Sequence, residues 1–187
     1  MRSLLAAARL VQGAIAGAVL HDDGRMDPLP GLAGHPLLAD DSPAVHAARD
    51  AITSGHVYTS FLWPLGGRHA PEGHARITAM ASTEDVPAAL AGMVLVSPPG
   101  TLRGLTPREL EVLGLLVDGR SNFQIAAALV VAQRTVAAHL EHILAKLSAP
   151  TRTLAAVRAE REGLYVPVAS GTGGPYRVPA ARFRTTR

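Results

Sequence analysis

Cysteine is absent from the 187-residue chain. That excludes disulfide staples, thiol nucleophiles, thiolate zinc sites and iron–sulfur clusters, and is compatible with a reducing compartment. Lysine is almost absent as well, Lys146 being the only one among 18 basic side chains. Seven aromatics are too few for modules that stack single-stranded bases on rings. No uninterrupted apolar run reaches the ~18 residues of a membrane-spanning helix. Arg9 and Gln12 break the apolar start, Met1 to Leu20, so a signal peptide is not expected. A soluble, cytoplasmic protein with no membrane partner is expected.

Alanine is abundant, at 33 residues, within a 48% hydrophobic fraction. Wholesale disorder is thereby excluded, and a helix-rich, small-residued core is expected. The length suits one domain or two small ones. Charge is uneven: residues 1–103 carry net −2, residues 104–167 net +1, and residues 168–187 hold four arginines and no acid. The pI near 9.9 therefore reflects the last twenty residues more than any folded surface.

Four zones separate by pattern. Leu4, Ala8, Val11, Ile15 and Val19 recur at helical spacing, predicting one helical face that runs into a short apolar strand, Ala16 to Leu20. His21-Asp22-Asp23-Gly24 predicts a turn, because Asp-Gly supplies the positive φ that hairpins need. Residues 27–41 read as a Pro/Gly-rich loop. Ser42-Pro43 then supplies an N-cap and a first-turn proline for a helix to about Ser54, stopped by Gly55. Strands are predicted at His56–Trp63, Ala75–Ala81 and Gly92–Ser97, the first two separated by the loop Gly66–Gly73. Strands alternating with helices predict a small α/β domain over residues 1–97, with 98–104 as a linker. Residues 105–167 form a separate helical module, and residues 168–187, without apolar period, are expected to be a disordered basic tail.

The module has legible helix signals. Thr106-Pro107-Arg108-Glu109 is a capping box with proline at the first helical position, and Leu110, Leu113, Leu116 and Val117 form the buried stripe up to Gly119. Ser121-Asn122-Phe123-Gln124 is a second box, opening a short helix with Ile125, Ala126 and Leu129. Val130-Val131-Ala132 is a tight connection. A third helix, about Gln133 to Leu147, buries Val136, Leu140, Ile143, Leu144 and Leu147, and a fourth begins after the cap Thr151. Short helix, sharp turn and longer helix is the organisation that projects a helix into the major groove, although periodicity alone equally allows a ligand-free four-helix bundle.

LTPRELEVL, the Gly119 break, SNxxIA at Ser121–Ala126, RTVxxH at Arg134–His139, IxxKL at Ile143–Leu147 and Arg152-Thr153 together closely resemble the DNA-binding domain of LuxR-type transcriptional regulators. The resemblance spans Leu105 to Leu164. It implies an α+β chain whose C-terminal four-helix helix-turn-helix module follows a small sensor-like domain. By position it implies that the third helix is the recognition helix, with Ala137, Ala138 and Glu141 facing the groove and His139 near the backbone. Phosphate contacts fall to Gln133, Arg134, Thr135 and Lys146, joined by Arg120, Arg152 and Thr153 at helix starts. Members with lysine at the first and last groove positions differ from this chain: alanine offers contact to a thymine methyl, and Glu141 accepts from cytosine N4. A net +1 on the module releases few counterions, so homodimerisation is expected; the resemblance implies that it runs through the fourth helix, at Leu154, Val157, Arg158 and Arg161, on a site of two half-sites. Ala132 leaves the recognition helix without a side-chain cap.

The first hundred residues carry less. AIAGAVLHDDGRM and DDSPAVHAARDAITSGHVYT loosely resemble GAF-type sensor domains, which implies a possible small-molecule or protein signal. A phosphoacceptor receiver needs a lysine in its site, and residues 1–103 have none. An enzyme would have to use His21, Asp22, Asp23, His35, Asp40, Asp41, His46, His69, Glu72 and His74; the last three are expected to be solvated loop residues. No catalytic or phosphate-binding motif is present, and none implies a cofactor. His139 and His142 alone do not make a metal site. Tyr58, Phe61 and Trp63 offer an aromatic wall for a pocket or a protein contact. Protein interaction without specific DNA readout is the competing function, and Arg177, Arg182, Arg184 and Arg187 of the tail offer nonspecific phosphate attraction.

Overall fold

The computed structural model describes residues 13–67, 69–82 and 90–168. The elements are β1 (Ala16–His21), β2 (Met26–Pro28), a 3-10 turn (Pro36–Leu38), α1 (Pro43–Thr53), β3 (Tyr58–Pro64), β4 (His74–Ala81), β5 (Leu90–Ser97), α2 (Pro107–Val117), α3 (Asn122–Leu129), α4 (Gln133–Lys146) and α5 (Arg152–Glu162). Leu4, Ala8 and Val11 of the expected helical face, and the basic tail beyond residue 168, lie outside the described residues. Ile15 and Val19 do not continue a helical face: Val19 is within β1, and Ile15 precedes it, half-exposed, with its amide donating to Val96.

The strands form one antiparallel sheet in the order β2-β1-β5-β4-β3. The predicted Asp-Gly turn joins β1 to β2, with the Gly24 amide donating to the His21 carbonyl and Gly24 at φ 90°. β2 itself falls where a loop is expected. It is only three residues long, and two of the three, Asp27 and Pro28, are poor strand formers. Alternation decides the two faces. Leu20, Phe61, Trp63, Ile77, Val94 and Val96 pack under Ala44, Val45 and Ala48 of α1, whose N-cap is Ser42 as the sequence indicates. Phe61 and Trp63 are thus core residues, whereas Tyr58 is exposed, so the three do not form one wall. His74 is a correction as well: it begins β4 and is buried, because strand pairing with Pro64 carries it out of the loop that holds the exposed His69 and Glu72. Burial pushes its imidazole pKa down, against the opposing field of Glu111.

The helical module is not separated from the sheet by the linker. Its core contains Leu62 of β3 together with Leu110, Leu113, Ile125, Val136, Ile143 and Leu164. Beyond α5, residues 164–166 run as a strap between sheet and helices. Leu62 donates its amide to the Tyr165 carbonyl at 2.8 Å, and Val166 donates to the Leu110 carbonyl at 3.2 Å. Where the strap crosses α2 the helix carries Gly114, and a Cβ there would overlap the Val166 carbonyl oxygen. In an open helix interior, replacing glycine by alanine stabilises by about 1 kcal/mol. Gly114→Ala is instead expected to destabilise by ~1–3 kcal/mol through overpacking, seen as a lower thermal midpoint; a higher midpoint would contradict this account of the crossing.

Candidate nucleic-acid interface

Four helix starts set the geometry. In α2, Thr106 Oγ1 accepts from the Glu109 amide at 3.3 Å while Glu109 Oε2 accepts from the Thr106 amide at 2.7 Å. In α3, Ser121 and Gln124 repeat the exchange at 3.3 and 2.9 Å. Thr151 caps α5, and α4 starts at Ala132 with no side-chain bond. Between α3 and α4 the chain turns at Val130, which is left-handed (φ 54°, ψ 51°) and 80% exposed. A β-branched residue is an outlier there, and the turn needs that backbone to redirect α4.

Glu109 serves two elements at once. Its carboxylate is buried, and besides closing the α2 cap it accepts from Lys146 Nζ at the end of α4 at 2.7 Å. Burial alone raises its pKa, but hydrogen bonds from Lys146 and Thr106 outweigh it and hold the carboxyl below its ordinary range. His142 Nδ1 approaches the other oxygen at 4.0 Å. The resemblance implies a phosphate contact for Lys146; the structure places its charge against Glu109, because a buried carboxylate needs a counterion. A capping-box glutamate in a chain with one lysine was the available signal.

With its buried stripe at Val136, Leu140 and Ile143, α4 turns Gln133, Arg134, Ala138, Glu141 and Ala145 outward. Thr135, Ala137 and His139 flank that face, half-buried. The structure thus brings together seven groove and backbone candidates of one helix, with Arg134 and Glu141 as its exposed charges. The helix-start candidates are placed differently. Arg120 pairs with Asp118 at 2.7 Å. Arg152 donates to the Arg120 carbonyl at 2.7 Å and to Asn122 Oδ1 at 3.4 Å, tying α5 to the start of α3. Thr153 is exposed and lines a shallow cavity of about 390 Å³ with Ser121, Gln124 and Arg152. On α5, Leu154 and Val157 are half-buried and Arg161 is exposed. Arg158 donates to the carbonyls of Leu147 and Ser148 at 2.6 and 2.8 Å, closing the end of α4.

Residues 103–159 match the family described as bacterial regulatory proteins, luxR family. Similar proteins include the quorum sensing-dependent transcriptional regulator RpaR of Rhodopseudomonas palustris, 31% identical over 143 residues, or 69% of this chain and 58% of that protein. The transcriptional regulatory protein LiaR of Bacillus subtilis is 45% identical over 60 residues, covering 32% of this chain and 28% of its own. The helical module is a LuxR-family helix-turn-helix domain. The probable regulator GfsR of Streptomyces halstedii is 32% identical over 133 residues, covering 68% of this chain and 53% of that protein. The chain therefore spans little more than half the length of RpaR and GfsR. A Vibrio cholerae VqmA dimer solved without its target DNA aligns over 89% of this chain and 91% of its own, at 17% identity and a TM-score of 0.39.

The LuxR-family module should feel the loss of the Glu109 counterion. Lys146→Met leaves a buried carboxylate unpaired and is expected to cost about 3 kcal/mol in urea unfolding; adding Glu109→Gln should recover part of it. Because the folded Glu109 pKa is depressed, its contribution is present above the ordinary value of 4.5 and lost as pH falls through the folded value. Stability of Glu109→Gln should accordingly fall less steeply over that acid range.

Proposed function

We propose that the chain is a cytoplasmic transcriptional regulator that binds double-stranded DNA as a homodimer and places α4 in the major groove. The observation that carries this reading is the outward face of α4, on the second helix of an intact helix-turn-helix. Arg134, Gln133 and Thr135 hold phosphates at the start of the helix, where backbone amides also face outward. Ala137 and Ala138 meet thymine methyls, and Glu141 accepts from cytosine N4. His139 stands at the side of the face, toward the backbone.

Arg120, Arg152 and Thr153 are secondary phosphate contacts, since Arg120 and Arg152 also hold the α2–α3 turn. Lys146 contributes through Glu109 rather than by a free charge. Leu154, Val157 and Arg161 of α5 pair two copies, and Arg158 supports that face by closing the end of α4. The sheet is the seat of a signal, a small molecule or a partner protein, that favours one dimer geometry over another. RpaR and LiaR, named as regulators, support this assignment over an enzyme. Among the described residues no single helix is long and apolar enough to cross a membrane.

A second reading, protein interaction without specific DNA readout, is favoured by one observation: the only carboxylate on the groove face, Glu141, repels phosphates. Selection of the purified chain on random duplex DNA at physiological salt separates the two. A two-part motif is expected, and Glu141→Lys should change the preferred base at one position per half-site, by about 1–3 kcal/mol of discrimination. No enrichment above a non-binding control, for either protein, would contradict the DNA reading.

A further inference from the structure

The last turn of α5 rests on the sheet. Its left-handed cap, Gly163, lies so close to β3 and β4 that a Cβ there would overlap the Arg76 guanidinium and press on Ser60. Arg76 stands on β4, paired with Leu62 of β3 and Ser97 of β5. Its Nη1 donates to the carbonyls of Glu162 and Gly163 at 2.9 and 3.3 Å and to Ser60 Oγ at 3.1 Å. Its Nε and Nη2 donate to the Pro99 carbonyl at 3.2 and 2.8 Å. One half-buried guanidinium thus joins two strands, the linker and the end of α5.

The chemistry of that joint is directional. The carbonyls at the end of a helix lack intrahelical partners and carry the negative end of its dipole, so a cation is matched to them. Arg103 of the linker adds a bidentate pair to Glu162, at 2.7 and 3.0 Å. Leu154 and Val157 lie further back along α5, Arg161 lies in the clamped turn itself, and α4 packs on α2, α3 and α5. The clamp therefore grips the module while leaving the groove face of α4 uncovered.

We propose that Arg76 is a positioning residue for DNA binding: by holding the C-terminal turn of α5 against the sheet it fixes how α5 is presented to a second copy, and so sets the spacing and angle of the two recognition helices in a dimer. The proposal rests on the reading of α5 as the surface that pairs two copies. Lysine cannot replace Arg76 fully, because a single ammonium does not span the Pro99 and Glu162 carbonyls as a planar fork does.

The cysteine-free chain allows direct spin labelling. His46→Cys on α1 and Ala128→Cys on α3, both exposed, are labelled in the full chain, diluted with unlabelled chain, and measured by double electron–electron resonance. One narrow distance distribution is expected in the parent. Arg76→Met should widen it about twofold or more and Arg76→Lys less, while Arg25→Met, on the exposed hairpin, should match the parent. A parent distribution as wide as that of Arg76→Met, or an Arg76→Met distribution as narrow as the parent's, overturns the proposal; if Arg76→Met does not fold, Arg76→Lys decides by the same comparison.

The functional arm uses duplexes from the random-library selection, with half-sites at the selected spacing or moved by about five base pairs, half a helical turn. The parent should discriminate about tenfold, within the usual range of coupling between sites, and Arg76→Met should lose most of that preference. Equal weakening at both spacings, with the preference intact, is the mark of a merely structural residue and overturns the proposal. A parent that binds no duplex overturns the DNA-binding reading instead, and the distance distributions then decide on the clamp alone.

Discussion

A buried carboxylate holds the helical module together. Glu109 closes the cap of α2 with one pair of hydrogen bonds and, through Lys146, fixes the far end of α4. An ionised group at 2% exposure is tolerated only where donors replace the water it lost, and here they come from the start of one helix and the end of another. One charge thus ties α2 to the end of α4, beside the apolar stripe of Val136, Leu140 and Ile143 that packs in the same core. The face left over is the one that carries Arg134, Ala138 and Glu141.

The second constraint is the close approach of backbone to backbone where module and sheet meet. The strap after α5 passes over α2 at Gly114 and over β3 at Leu62, and α5 itself ends against β4 at Gly163. Glycine in a helix interior is otherwise a loss. At Gly114 the missing side chain is the space that the Val166 carbonyl fills, which makes the joint intolerant of any larger residue. Two arginines, Arg76 and Arg103, then bring cationic donors to carbonyls and a carboxylate at the end of α5.

Much of this was legible in the residues. The capping boxes at Thr106 and Ser121, the N-cap Ser42 with Pro43, the Asp-Gly hairpin and the uncapped Ala132 are local signals, and each is found where the sequence puts it. The exposed face of α4 follows from helical periodicity for the same reason. What escaped was non-local. Lys146 reads as a free cation until its contact with Glu109, 37 residues away, is seen. Arg76 and Glu162 are separated by 86 residues, and Leu62, an ordinary strand residue by pattern, belongs to the helical core. His74 was misread because the loop composition before it extends to Gly73, while register with Pro64 decides its burial. Trp63 and Phe61 read as a wall because alternation does not say which side α1 covers.

The outward face of α4 is sparse in charge, so on the proposed reading any DNA readout comes from shape and a few contacts, with affinity shared between two copies. Photo-crosslinking locates that face on DNA most directly. With a benzoylphenylalanine at Ala138, the chain is expected to crosslink to bases within each half-site of a selected duplex, and one at Phe123, which is also exposed, is expected to give none there. Crosslinks from position 123 to the bases, or none from position 138 while the duplex remains bound, would contradict the placement of α4 in the groove.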